Sequence, residues 1–290
     1  MERKPQTISF DEQRTLMLGM LKSLADYCEK HQLKYTLVAG TLLGAVRHRG
    51  YIPWDDDIDI AMPSQDYDRL IELTKTEPVS PEIRISSLDT NPEHLWPMAK
   101  AFLTTTCLVE PMLLDRYLKQ EEKYCGIYVD IFPIYGVPDD PEEKARFCRR
   151  VNRLYSHYKH ATRHVRFKKN YGSLLRKGAY WLAFMPDRLL GGPFFLKKLV
   201  AMGKQYPFGT TKQVAFSFGI VKKNCDLSDT QAYVEMKEAP FEDLMLKIPV
   251  RYDEILRHHY GNYMELPPES ERRTHTHHMT YREKGGNTGC

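Results

Sequence analysis

Four aspartates crowd the stretch Trp54-Asp55-Asp56-Asp57-Ile58-Asp59-Ile60. Residues two apart on an extended chain point the same way, so Asp57 and Asp59 project from one face. Asp55 joins them if the strand geometry reaches back. Like charges held a few ångströms apart raise each other's pKa. A hard divalent ion removes that cost: Mg2+ or Mn2+ takes carboxylate oxygens as ligands and keeps its other positions for water and substrate phosphates. A solvated acidic turn or a helix cap is the plainer alternative, but the interleaved apolar Ile58 and Ile60 argue for a strand. An EF-hand fits poorly, because the glycine and final glutamate of its loop are missing. The pattern points to metal-dependent phosphoryl transfer and hence to an enzyme.

Two further features complete the chemistry. Gly40-Thr41 follows a short apolar run and opens a helical one. A glycine turn feeding a helix amino terminus offers free backbone N–H groups to a phosphate or pyrophosphate. Alone, a Gly-Thr turn is more often structural; followed by an Asp-x-Asp strand, it gives the layout of a nucleotidyltransferase-like fold. That layout takes a third carboxylate from a later strand. Asp130, in Gly126-Ile127-Tyr128-Val129-Asp130-Ile131-Phe132, is the candidate.

The elements that must position these groups are legible in outline. Ser9-Phe10-Asp11-Glu12 has capping-box spacing, and Leu16, Met20, Leu21, Leu24 and Tyr27 recur at helical intervals, predicting a helix of about twenty residues. Tyr35–Val38 reads as a strand, Leu42–Arg47 as a short helix and Ile58–Met62 as a second strand, with Pro63-Ser64 opening another helix. Further strands are expected at Ile83–Ser87, Met98–Leu103 and Ile127–Ile131, with the Pro138–Pro141 turn ending the strand-bearing half. Beyond it, Phe241–Val250 is expected to be extended and Tyr252–Tyr260 helical. The fold class is therefore α+β, a core sheet flanked by helices with a basic helical insertion. The expected division is a catalytic core over 1–140, an insertion over 141–210, a part completing the catalytic domain over 211–284, and a flexible tail over 285–290.

Composition is that of a soluble globular protein: 290 residues, 42% hydrophobic and 28% charged. No apolar run spans a bilayer and no secretory signal is evident, so cytoplasmic residence is the default expectation. The six cysteines form no Cys-x-x-Cys pair, which predicts reduced, mostly buried thiols. The net charge of +4 conceals an asymmetry: residues 142–204 carry +13 and the remainder −9. That basic segment, rich in aromatic residues, suits an interfacial helix at an anionic membrane over residues 160–200, or equally a core helix with a solvated basic rim. No motif reads nucleic acid. His275, His277 and His278 lack the spacing or thiol partners of a zinc site.

The run from Tyr35 to Asp59, including Gly40-Thr41-Leu42-Leu43-Gly44-Ala45-Val46-Arg47 and Pro53-Trp54-Asp55-Asp56-Asp57, resembles the signature of the LicD family almost throughout. Val129-Asp130-Ile131-Phe132-Pro133 does so too, and weaker matches follow at Lys100–Thr106, Pro249–Tyr252, Tyr260–Met264, Arg272 and His275. Nothing specific is recognised over 142–240.

The resemblance implies a transferase that moves phosphocholine from a CDP-choline-type nucleotide donor to a sugar hydroxyl of a glycan precursor, often lipid-linked. Asp57, Asp59 and Asp130 would hold one or two Mg2+ or Mn2+ ions, and Asp130 or Asp56 would accept the hydroxyl proton. Gly40 and Thr41 would hold the diphosphate. Arg47, Lys100, Arg272 and His275 would supply further donors, each with a surface ion pair as its alternative. Trp54, Trp96 and Tyr128 would offer aromatic faces to a quaternary ammonium, with core packing as theirs. Three rivals stay open: a CDP-ribitol or CDP-glycerol donor, a true nucleotidyltransferase, and a non-catalytic metal-stabilised binding protein.

Overall fold

The structure is a computed structural model that describes residues 7–92, 94–109, 126–162, 182, 184–216, 227–272, 274 and 278–281. Helix α1 (Phe10–Lys30) starts where the capping box places it: the Ser9 hydroxyl accepts from the Glu12 N–H at 3.2 Å, and the Glu12 carboxylate accepts from the Ser9 N–H at 3.4 Å. Strand β1 (Thr36–Leu37) leads into α2 (Ala39–Arg47), and β2 (Asp59–Pro63) into α3 (Ser64–Leu73). There follow β3 (Ile83–Ser86), β4 (Ala99–Leu103), β5 (Thr106–Val109) and the long β6 (Tyr128–Val137). Helices α4 (Pro141–Thr162), α5 (Met185–Leu190) and α6 (Gly192–Gly203) precede β7 (Gln213–Phe216), β8 (Ser228–Asp229), β9 (Met236–Phe241), β10 (Leu244–Pro249), α7 (Tyr252–Tyr260) and β11 (His278–Tyr281).

Seven strands form one mixed sheet in the order β1-β2-β6-β4-β3, extended by β7 on the far half of β6 and by β8 on β7. β2 and β6 run parallel, and the other ladders are antiparallel. The fold is thus α+β, with helices packed on a mixed sheet. β6 outruns the expected strand because it changes partners midway. Its pairing with β4 ends at Ile131 and its pairing with β7 begins at Ile134, so Pro133, which has no N–H to give, falls between the two ladders. The Pro138–Pro141 turn does not end the strand-bearing part, since β7 and β8 return to the same sheet.

The main core gathers Met17, Met20, Leu21 and Leu24 of α1 with Leu42 and Leu43 of α2, Ile60 and Ile131 of the sheet, Phe241 and Ile248 of the β9–β10 hairpin, and Leu256 of α7. A smaller core forms where Tyr135 and Val137 of β6 meet Phe147 and Val151 of α4 and Leu196 and Leu199 of α6. Cys28 is a free buried thiol, but Cys107 and Cys148 each carry a disulfide bond, against the expected reduced state.

Two glycines set how closely α2 approaches the segment after it. A Cβ on Gly44 would lie 2.4 Å from the Gly50 carbonyl oxygen, and one on Gly50 would lie 2.2 Å from the Glu242 carboxylate. Glu242, at the tip of the β9–β10 hairpin, receives the Tyr51 N–H at 2.9 Å and gives its own N–H to the Arg49 carbonyl at 2.8 Å. By contrast, Gly19 on the exposed side of α1 has nothing within 4 Å of its virtual Cβ. Thermal unfolding should separate the two cases: Gly44→Ala is expected to destabilise by about 1–3 kcal/mol through overpacking. Gly19→Ala should stabilise by roughly 0.5–1 kcal/mol through helix propensity alone.

Candidate active site

The sheet register assembles the site. Asp59 of β2 is the Cα partner of Asp130 of β6, Asp130 is the partner of Lys100 of β4, and Lys100 is the partner of Ser86 of β3. Side chains in register across neighbouring strands share a face, so these four lie in one row on one side of the sheet. Lys100 is buried, and its ammonium is ion-paired with the Asp130 carboxylate. The same ammonium lies 3.5 Å from the Tyr128 ring centroid and 5.1 Å from that of Trp96. The aromatic faces beside Asp130 are therefore turned to the protein's own cation.

Burial is the largest cause holding the Asp59 carboxyl well above the usual carboxylate range, and repulsion from Asp57 and then Asp130 adds to it. Lys100 opposes the rise and Asp55 adds a little more. Four acids are thus coupled around one ammonium. Such an excess of carboxylate oxygen fits the ligand chemistry of a hard divalent cation.

Thr41 touches this row through the backbone of Asp59, its buried hydroxyl oxygen accepting the Asp59 N–H at 2.8 Å. Gly40 and Thr41 lie within the first turn of α2 rather than in a turn before it, and the strain falls on the helix's first residue, Ala39, with a left-handed φ of 49°. At Gly40 the constraint is space: a Cβ there would lie 2.6 Å from the Asp55 carboxylate, which would have to shift. The acidic loop therefore rests against the backbone of the turn. Asp56 is buried at 3% exposure, and its carbonyl accepts from Gln13 Nε2 at 3.0 Å.

The remaining expected residues divide. Arg47 gives Nη1 to the carbonyls of Tyr263 (2.8 Å) and Glu265 (3.2 Å), tying the end of α2 to the loop after α7. The Arg272 guanidinium lies 5.0 Å over the Trp54 ring and donates to the Pro267 carbonyl at 3.1 Å. The structure thus brings Trp54 and Arg272 together. His275 lies outside the described residues, as do His277 and most of 163–183.

Two anchors were not anticipated. Arg14 of α1 donates to the carbonyls of Ile52 (2.6 Å) and Asp55 (2.6 and 3.1 Å), with its guanidinium over the rings of Phe10 and Tyr51. Together with Gln13 it pins the backbone of the acidic loop. A signal existed, because Gln13 occupies the apolar stripe that continues through Met17, Met20 and Leu24. The second anchor is His94, whose Nε2 faces the Met98 carbonyl at 2.7 Å and so carries the proton, while Nδ1 accepts from Ser86 Oγ at 2.9 Å. Burial pushes its pKa down to about 4, which keeps this neutral tautomer. It fixes the loop that carries Trp96.

The family described as LicD/FKTN/FKRP, nucleotidyltransferase domain, matches residues 32–171. The chain is 27% identical over 276 residues to the lipopolysaccharide cholinephosphotransferase LicD of Haemophilus influenzae, covering 92% of this chain and 96% of that protein. It is also 31% identical over 112 residues to an uncharacterised protein of Rickettsia prowazekii, 39% of this chain and 36% of that one. A carboxylate row beside a helix-opening turn, on a chain with this likeness, defines a phosphotransferase. Over residues 32–171 the chain carries the nucleotidyltransferase domain of the LicD family.

The raised Asp59 pKa has a consequence for the metal-free protein. Its folded value lies above the ordinary 3.8, so between the two values the folded state binds the extra proton and stability falls as pH rises through that window. Asp59→Asn removes this penalty. The metal-free variant is expected to melt above the parent at neutral pH, with the gap closing as pH falls toward about 4. A variant that melts below the parent at every pH would contradict the crowding of charge described here.

Proposed function

We propose that the chain transfers phosphocholine from CDP-choline to a sugar hydroxyl of a cell-surface glycan precursor of lipopolysaccharide or teichoic-acid type, releasing CMP. The observation that carries this reading is the single row of Asp59, Asp130 and Lys100 beside the Gly40-Thr41 turn. The near full-length likeness to a lipopolysaccharide cholinephosphotransferase supports the donor and acceptor classes. Asp57, Asp59 and Asp130 would hold Mg2+ or Mn2+, which would supply positive charge to offset the negative charge of the diphosphate.

The chain's own groups do the positioning. Gly40, Thr41 and the α2 amino terminus take the diphosphate. The acceptor hydroxyl attacks the phosphorus that carries choline, in line with the departing CMP, and Asp130 accepts its proton. Lys100 holds Asp130 oriented and moderates the negative charge of the row. Tyr128 and Trp96 fix Lys100, and Trp54 fixes Arg272, so that these aromatic residues act on the donor through the cations they face. Arg47 keeps the loop after α7 against α2. Asp56, buried beneath the loop, shapes it. His275 belongs to the same donor-binding group by resemblance alone.

The division into a core over 1–140, an insertion over 141–210 and a completing part over 211–284 belongs to this reading. So does peripheral contact of the insertion with the inner face of a membrane bearing the lipid-linked acceptor. Leu182, Leu189, Leu190 and Phe194 are exposed, and Lys197 and Lys198 lie beside them in sequence. Among the described residues no helix is long and apolar enough to cross a membrane.

Incubation with CDP-choline, CDP-ribitol, CDP-glycerol or CTP, with glycan acceptor and Mg2+, tests the reading by its products. CMP should form from CDP-choline, stop on addition of EDTA and resume with excess Mg2+. Asp57→Asn should lower the rate at least about a hundredfold. CMP only from an alditol donor would move the substrate to the phospho-alditol class. Pyrophosphate from CTP would mark a nucleotidyltransferase, and full activity in Asp57→Asn would sink the mechanism.

A further inference from the structure

A second set of metal-ligating side chains lies in the insertion, apart from the aspartate row. His157 and His160 are three residues apart on α4, so their rings share a helix face. Asp187 of α5 approaches both. His157 Nδ1 lies 2.9 and 3.0 Å from the two Asp187 carboxylate oxygens, and His160 Nδ1 lies 3.4 Å from Oδ2. One atom from each residue can be chosen so that all three fall within 4.8 Å of one another.

Two details are poorly explained by packing alone. The His160 Nδ1 atom is buried and makes no hydrogen bond, although it points at the cluster. The Asp187 carboxylate is largely buried, with a side-chain exposure of 12%, and its ion-pair partners are these two imidazoles. Burying a carboxylate is costly without a full counter-charge, and leaving a ring nitrogen unpaired is costly as well. One divalent ion would satisfy both. The rings are also held in place, His157 stacked at 13° on Phe195 of α6 and His160 3.8 Å from Phe184.

We propose that His157 Nδ1, His160 Nδ1 and an Asp187 oxygen bind Zn2+ or a similar borderline-soft ion, with water in the fourth position. Tetrahedral bonds of about 2.0–2.1 Å separate neighbouring ligand atoms by roughly 3.3 Å, close to the spacings found. Imidazole nitrogen selects zinc-type ions over Mg2+, which prefers oxygen throughout. The ion would pin α5 to α4 across thirty residues of sequence and so fix the base of the basic segment between them.

The test uses the full chain, stripped of metal with a chelator and then titrated with Zn2+ against a chromophoric competitor, in parallel with Co2+ absorption spectroscopy. Saturating Mg2+ is present, to occupy the aspartate row. One equivalent of Zn2+ is expected, with visible Co2+ bands of tetrahedral intensity. His160→Gln and, separately, His157→Gln should weaken binding at least tenfold while circular dichroism stays that of the parent. Asp57→Asn should leave this equivalent intact. No tight equivalent in the parent, an equivalent lost in Asp57→Asn, or undiminished binding in both histidine variants would overturn the proposal. Should one histidine variant fail to fold, the other decides.

Discussion

Electrostatic crowding on one face of the sheet is the constraint to which the rest of the site responds. The parallel register of β2 and β6 sets Asp59 beside Asp130, and the loop before β2 adds Asp55 and Asp57 to the same field. Left to itself, such a group would splay apart or take up protons. The first escape is closed, and the raised Asp59 pKa records the second. Asp59 and Asp130 sit on paired strands, and Arg14 and Gln13 hold the Ile52, Asp55 and Asp56 carbonyls from the side of α1. Lys100 offsets part of the charge from the third strand of the row. A site so arranged stores repulsion that a cationic ligand would relieve.

The rigidity is bought with close backbone approaches. Gly44 lets α2 touch the Gly50 carbonyl, Gly50 admits the Glu242 carboxylate, and Gly40 admits Asp55. Each of these glycines is a point where a side chain would hold two segments apart. Arg47 then fastens the other end of α2 to the Tyr263 and Glu265 carbonyls. The C-terminal third is thereby tied to the site, though it supplies none of the coupled acids.

Much of this was legible in the residues. The capping box at Ser9, the Asp-x-Asp alternation and the short strand around Asp130 are local patterns, and local patterns survive into the fold. The partnership of Asp59 with Asp130 required knowing that β2 and β6 are neighbours, which alternation suggests but cannot prove. Other features were invisible for physical reasons. Pro133 reads as a strand breaker until β6 is seen to exchange one partner for another. Ala39 gives no sign of a left-handed φ, because strain of that kind is imposed by surroundings. The roles of Tyr128 and Trp96 depend on a buried ammonium arriving from another strand. Arg14 was camouflaged as an ordinary helix-surface cation.

The two ligand sets differ in a way that bears on how both could work in one chain. The aspartate row offers oxygen only, from paired strands, with Lys100 and the start of α2 beside it. Helices α4 and α5 offer two imidazole nitrogens and one carboxylate, with the aromatic rings of Phe184 and Phe195 against the imidazoles. Ligand hardness sorts ions between such sites more reliably than affinity alone. An ion suited to holding α5 on α4 would therefore not need to compete for the aspartates. On the proposed reading, an ion at the aspartates would exchange water for substrate phosphate at a site of its own, and α5 would stay fixed on α4 whether or not a donor is bound.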